Sequence, residues 1–122
     1  MQYTGGKGVF GQQPAPTAIA ASAALTIAQL LGAIVTTSGT AAITLTLPTG
    51  TLTEAGVTGP TLPVNGCFDW AVINTATSSG AVTVAAGTGH TLVGGATVAI
   101  GTSAGFRTRK TAANTFVTYR VR

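Results

Sequence analysis

Acidic residues are almost missing from this chain of 122 residues: it has two, against six Lys and Arg, one His and a net charge of +4. Charged residues make up 7% of the sequence, where a soluble domain usually has about a quarter. Two acids, one His and one Cys leave little material for acid–base or nucleophilic catalysis, so we expect no enzyme and no cofactor. The single Cys67 excludes an internal disulfide, and a zinc site would need a second subunit's ligands. Cys67 reads as a small strand residue, and His90 as part of a turn. Aromatics are sparse at 6%. The one long uncharged run, residues 18–35, is interrupted by Ser22, Thr26, Gln29 and Gly32 and lacks flanking anchors, so no membrane span is expected. Gln12-Gln-Pro-Ala-Pro16 separates Lys7 from any apolar run, which argues against a signal peptide and for synthesis in the cytoplasm.

What the chain does contain is Thr, Ala, Val and 17 Gly, the composition of thin, tightly turned β structure. Disorder would need high charge and few β-branched residues. A surface with so few charges is either neutral hydroxyl and amide or buried against other subunits, and we favour partial burial.

Residues 1–21 are Gly, Gln, Pro and Ala with isolated Tyr3, Lys7 and Phe10, and show no periodicity. They read as an extended arm ordered only on a partner, or equally as a free tail, with residues 22–122 as a single β domain. Thr26-Ile-Ala-Gln29 fits a capping box closed by Gly32, predicting one short helix over 27–31. Thr51-Leu-Thr-Glu54 repeats the pattern before Gly56 and allows a second helical turn, with Glu54 structural. Strands are expected over 34–37 and 42–47, the latter ended by Pro48, then over 67–74, 81–85, 91–93 and 96–100. The strand at 67–74 is apolar on both alternations and reads as central and covered on both faces. Asp69 within it is expected to pair with a C-terminal Arg or to cap a loop. Gly87-Thr-Gly-His90 and Gly94-Gly95 read as turns; no helix follows them, so they are not phosphate loops.

Five of the six basic residues lie in Phe106-Arg-Thr-Arg-Lys110 and Tyr119-Arg-Val-Arg122. The segments 104–111 and 115–122 read as a hairpin. With Thr111 opposite Phe116, Arg107 faces Arg120 and Arg109 faces Thr118. Arg107, Arg109, Arg120 and Arg122 then share one face with Phe116, and Lys110 falls on the other. Such a stripe is either a solvated positive face or, because like charges directly opposite one another are unfavourable, a surface that calls for an anionic partner. With Tyr3, Lys7 and Phe10 of the arm, these four arginines are the candidate partner contacts. About eight strands at this spacing suit an all-β jelly-roll-like sandwich or small barrel with an extended arm and one short helix.

The stretch from Phe68 to Arg120 resembles small tailed-bacteriophage head decoration (capsid cement) proteins. The likeness runs through the Phe68-Asp-Trp70 strand, Val72-Ile-Asn-Thr75, Val82-Thr-Val84, Gly89-His-Thr-Leu-Val-Gly94, Gly105-Phe106 and Thr118-Tyr-Arg120. Ala41-Ala-Ile-Thr-Leu-Thr-Leu-Pro48 after Gln29-Leu-Leu31 is similar to that group as well. The resemblance implies a virion structural protein, a homotrimer on the outer surface of the head that reinforces the major capsid protein, without catalysis or cofactor. The arm would serve as a strap across that protein. A fibre or receptor-binding module for glycans or a host surface is the alternative. Single-strand binders interleave aromatics with basic residues on one face, and here only Phe116 does so, so a nucleic-acid partner is not expected.

Overall fold

A computed structural model describes residues 11–58 and 61–122 of the chain. Three of the expected contacts, Tyr3, Lys7 and Phe10, lie outside the described residues.

The chain alternates between two sheets. Strands β1 (Thr17–Ile19), β3 (Ile34–Thr37) and β5 (Cys67–Asn74) enter the larger sheet, and β2 (Ala23–Ala24), β4 (Ile43–Thr46) and β6 (Val82–Ala85) enter the smaller. Each strand returns parallel to the one laid down two elements earlier. Val35 pairs with Thr17 and then with Val72, while Leu45 pairs with Ala23 and then with Val84. The first half is thus a coil of three stacked turns. The second half closes it with β7 (His90–Val93), β8 (Thr97–Val98), β9 (Ser103–Ala112) and β10 (Thr115–Arg120). The larger sheet runs β1-β3-β5-β9-β10-β7 and the smaller β2-β4-β6-β8.

Inward side chains stack in register between the sheets. Val35, Val72 and Ala104 occupy one row of the larger sheet, and Ile43, Val82 and Val98 one row of the smaller. All belong to a single buried core. Trp70 and Phe106, opposite each other on β5 and β9, stack at 4.6 Å with 21° between their planes. Offset stacking of two large rings adds roughly 1 kcal/mol to their burial.

Two helices sit in the connections. In α1 (Ile27–Leu31) the expected capping box is present: Thr26 Oγ1 accepts from the Gln29 N–H at 3.2 Å, and the Thr26 N–H donates to Gln29 Oε1 at 2.9 Å. The second element is longer than one turn, α2 (Gly50–Gly56), and Thr49 caps it in place of Thr51. Pro48 ends β4 and leaves Thr49 extended, so the first hydroxyl met by the turning chain takes the cap.

The mostly β architecture with helix in its connections agrees with the sequence; the strand order does not. Five of the eight pairings are parallel, whereas a jelly roll is antiparallel. Period-two alternation reports which face is buried and is blind to the direction of a neighbour. Parallel strands normally announce themselves by being apolar on both faces. These sheets each bury one face, so that signal is missing. For the same reason β5 is central yet covered on one face only: Trp70, Val72 and Asn74 point inward, and Cys67, Asp69 and Ile73 are exposed. Within the expected arm, Thr17–Ile19 forms the edge of the larger sheet, with Ile19 packed on the core. A three-residue strand is too short to display alternation. The uncharged run at 18–35 is divided among β1, β2, α1 and β3, and no described helix is long and apolar enough to cross a membrane.

Candidate functional site

The β9–β10 hairpin carries the charge, and its register decides where each arginine points. At the turn the pairing is Thr115 with Ala112, the frame expected from the sequence. A bulge then shifts the frame by one, so Phe116 pairs with Lys110. Thr111 is the extra residue, and Asn114 in the turn adopts a φ of 55°, a left-handed conformation that Asn tolerates. Beyond the bulge Arg109 faces Val117, Arg107 faces Tyr119 and Arg120 faces Phe106.

The expected four-arginine face is therefore corrected. Arg107 and Arg109 remain on the outer face, beside Tyr119 and not Phe116. Phe116 is fully buried. Arg122 lies across the same region, its guanidinium against Gly105, where an added Cβ would come within 2.6 Å of Nε. Arg120 leaves the group. It turns to the end of the sandwich and donates to the carbonyls of Thr97 at 2.6 Å and Gly95 at 3.3 Å, tying the larger sheet to β8.

Each outer arginine has a neighbour. Arg107 grips Asp69 through two bonds of 2.6 and 3.0 Å, the pairing foreseen for that carboxylate. This hydrogen-bonded guanidinium holds the Asp69 carboxyl below its ordinary range. Both partners are more than half exposed, so salt screens the pair. Arg109 donates to Tyr119 Oη at 2.7 Å and to Asn65 Oδ1 at 2.7 Å, and lies 5.6 Å from the Tyr119 ring centroid. The result is a flat patch of Arg107, Arg109, Arg122 and Tyr119 held in fixed geometry on a central pair of strands. Planar guanidinium groups fixed in this way suit carboxylates of a partner surface.

Lys110 shares the inward face of β9 with Phe106 and Thr108. Its Nζ bonds Glu54 Oε1 at 2.8 Å and the Leu62 carbonyl at 2.9 Å. Glu54 Oε1 accepts the Asn114 N–H at 3.2 Å as well. The Lys110 bond, seconded by Asn114, draws the Glu54 carboxyl below its ordinary range. Lys110 thus clamps α2 and the loop after it to the hairpin. Alternation along β9 already set it opposite the arginines; its buried contact with Glu54, 56 positions earlier, leaves no trace in the local pattern.

His90 was also missed as a buried group. It opens β7 inside the protein and joins a chain of polar contacts across four strands. Trp70 Nε1–H donates to Thr108 Oγ1 at 3.0 Å, Thr108 Oγ1 lies 2.7 Å from Thr118 Oγ1, and Thr118 Oγ1 meets His90 Nε2 at 2.5 Å. His90 Nδ1 lies 3.1 Å from the Pro48 carbonyl. A carbonyl only accepts, so Nδ1 carries the proton and Nε2 accepts from Thr118, which in turn accepts from Thr108. Every member is satisfied in this one polarity. Burial lowers the His90 pKa, opposed by the Pro48 bond. The chain locks the turn before α2 to the sheet. Trp70, His90, Thr108 and Thr118 are all buried, which marks the chain as structural.

An open groove of about 390 Å³ is bounded by Leu31, Val57, Leu62, Cys67 and Phe68. Cys67 is an exposed free thiol there. Among the described residues no cluster of three or more His, Cys, Asp or Glu is placed to hold a metal ion. No protein-family model matches the chain, and neither a curated protein nor a solved structure is significantly similar to it.

Proposed function

We propose that this chain is a virion structural protein, a decoration protein that binds the outer surface of a phage head as an oligomer and stabilises it. One observation carries the reading: charge is segregated along the stack. Residues 11–53 carry none, while Arg107, Arg109 and Arg122 stand together on the outer face of the hairpin. A rigid two-sheet body with one neutral flank and one cationic face is built to seat in one orientation on a larger surface. Its arginines would meet carboxylates of the shell, adding orientation and association rate, while strand pairing and apolar burial would supply most of the affinity. Among the described residues the Trp70 ring is buried on Phe106 and Tyr119 is engaged by Arg109, so neither offers a free aromatic platform for a glycan.

Co-sedimentation with purified phage heads stripped of decoration tests the proposal. Saturable binding that weakens only mildly as salt is raised supports it. No binding at any salt overturns it. Loss of all binding at moderate salt would assign the contact to the arginine face alone and refute the division of labour given above.

A further inference from the structure

The first turn of the coil leaves both sheets open at the same end. Strand β1 pairs only with β3 and β2 only with β4, so each has one row of backbone N–H and C=O groups without a strand partner among the described residues. Natural proteins blunt such edges with charges, bulges or covering segments, because an unpaired edge templates pairing with another strand. Here Pro14 and Pro16 stop β1 at its beginning, but among the described residues no charge guards it. From Ala18 to Ala24 the side chains are Ala, Ile, Ala, Ala, Ser, Ala and Ala, and Ala18, Ala23 and Ala24 are exposed.

We propose that this β1/β2 edge is a self-association surface, on which a second copy of the chain adds its own β1 and β2 across a two-fold axis. Geometry favours a second copy over an unrelated strand. A two-fold axis normal to the sheets at this edge sets β1 antiparallel to its symmetry mate. The same operation sets β2 antiparallel to its own mate. One operator thus continues both sheets at once, two six-stranded into one of twelve and two four-stranded into one of eight. An isologous contact of this kind closes on itself and uses up the β1 and β2 edges of both copies. An unrelated peptide would complete one sheet and leave the other open.

Charge placement points to the same occupant. The described ionised groups lie on α2, β5, β9, β10 and the C-terminus. Asp69 on β5 is two strands in from the edge and already paired with Arg107. Arg109 on β9 is three strands in. At about 4.8 Å per strand, the β9 strands of two joined copies stand roughly 34 Å apart, some four screening lengths at physiological salt. Two cationic molecules can therefore meet here without repulsion. At the opposite edge β7 lies beside β10, and the Arg120 guanidinium sits on Gly95, so two copies meeting there would bring like charges together. This inference rests on topology and charge and stands apart from the decoration reading. A homotrimer, as the family resemblance implies, would need a different, head-to-tail contact.

The test is the native mass of the full chain by size exclusion with light scattering. The expected mass is twice 12.0 kDa. The double variant Ala18→Lys, Ala24→Lys should fall to one chain at the same concentration. Four ammonium groups then crowd the edge, and the dissociation constant should rise about a hundredfold or more. Both positions are exposed, so the variant should keep the buried-Trp emission of the parent. In a Cys67→Ser background, Ala18→Cys should cross-link to a dimer under mild oxidation, and Thr97→Cys on the far edge of the smaller sheet should not. A single-chain or three-chain mass for the parent overturns the proposal. So does a dimer indifferent to the lysines. Head co-sedimentation reports on the decoration reading separately.

Discussion

Thr118→Val should cost this fold about 2–4 kcal/mol, although the two side chains are nearly the same shape. Thr118 is fully buried, and its hydroxyl bridges Thr108 Oγ1 at 2.7 Å and His90 Nε2 at 2.5 Å. Valine removes both bonds. The Thr108 hydroxyl proton then loses its acceptor, Thr118 Oγ1, while the Thr108 oxygen still takes the Trp70 N–H. The lone pair of His90 Nε2 loses its donor. Each orphaned buried group costs about 1–3 kcal/mol. Burying the extra methyl returns roughly 0.8 kcal/mol. The control is Thr118→Ser, which keeps the hydroxyl and loses one methyl, for about 1 kcal/mol. Urea unfolding at one fixed protein concentration, followed by emission of the single Trp70, gives both numbers. The reasoning fails if valine is tolerated as well as serine. It also fails if nitrogen chemical shifts of His90 place the proton on Nε2, since the chain admits only the Nδ1–H form.

Stability should fall in acid in two stages. The His90 pKa is lowered by folding, so the unfolded chain takes up that proton first. Its contribution is complete above the ordinary value of 6.5 and is lost as pH drops below it. Glu54 and Asp69 are lowered from 4.5 and 3.8, so a second loss begins near those values as pH falls further. Melting temperature against pH should show both stages, and His90→Gln should remove the first alone. Gly50→Ala should destabilise by about 2–3 kcal/mol, because its Cβ would fall 1.9 Å from the Asn114 carbonyl oxygen and force α2 off the hairpin. Gly101→Ala, at a φ of 67° with nothing within 4 Å, should cost only the backbone term of about 1 kcal/mol. Equal losses in chemical denaturation would refute the steric argument. Lys110→Met leaves the Glu54 carboxylate uncompensated in a mostly covered site, so adding Glu54→Leu should restore stability. A double variant worse than the single one in a thermal melt would show that the clamp itself is net stabilising.

The sequence by itself determined the β class, the limits of β3 and β5 and the capped helix at 27–31, and offered a C-terminal Arg as one of two partners for Asp69. All of these are written locally, in alternation, in a hydroxyl and an amide three residues apart, or in one acid amid basic residues. Tertiary structure decided the rest. Strand direction was decided by the coil, since a strand buried on one face alternates identically whichever way its neighbour runs. The placement of Phe116 and Arg120 was decided by one bulged residue, Thr111, because a one-residue slip sends every later side chain to the opposite face, and the burial of Lys110 by the packing of α2 against the hairpin. His90 looked like a turn residue because its partners are Pro48, forty-two positions earlier, and Thr118, twenty-eight later. Contacts that join such distant positions leave no periodic trace, and only the folded sheet brings them within hydrogen-bond reach.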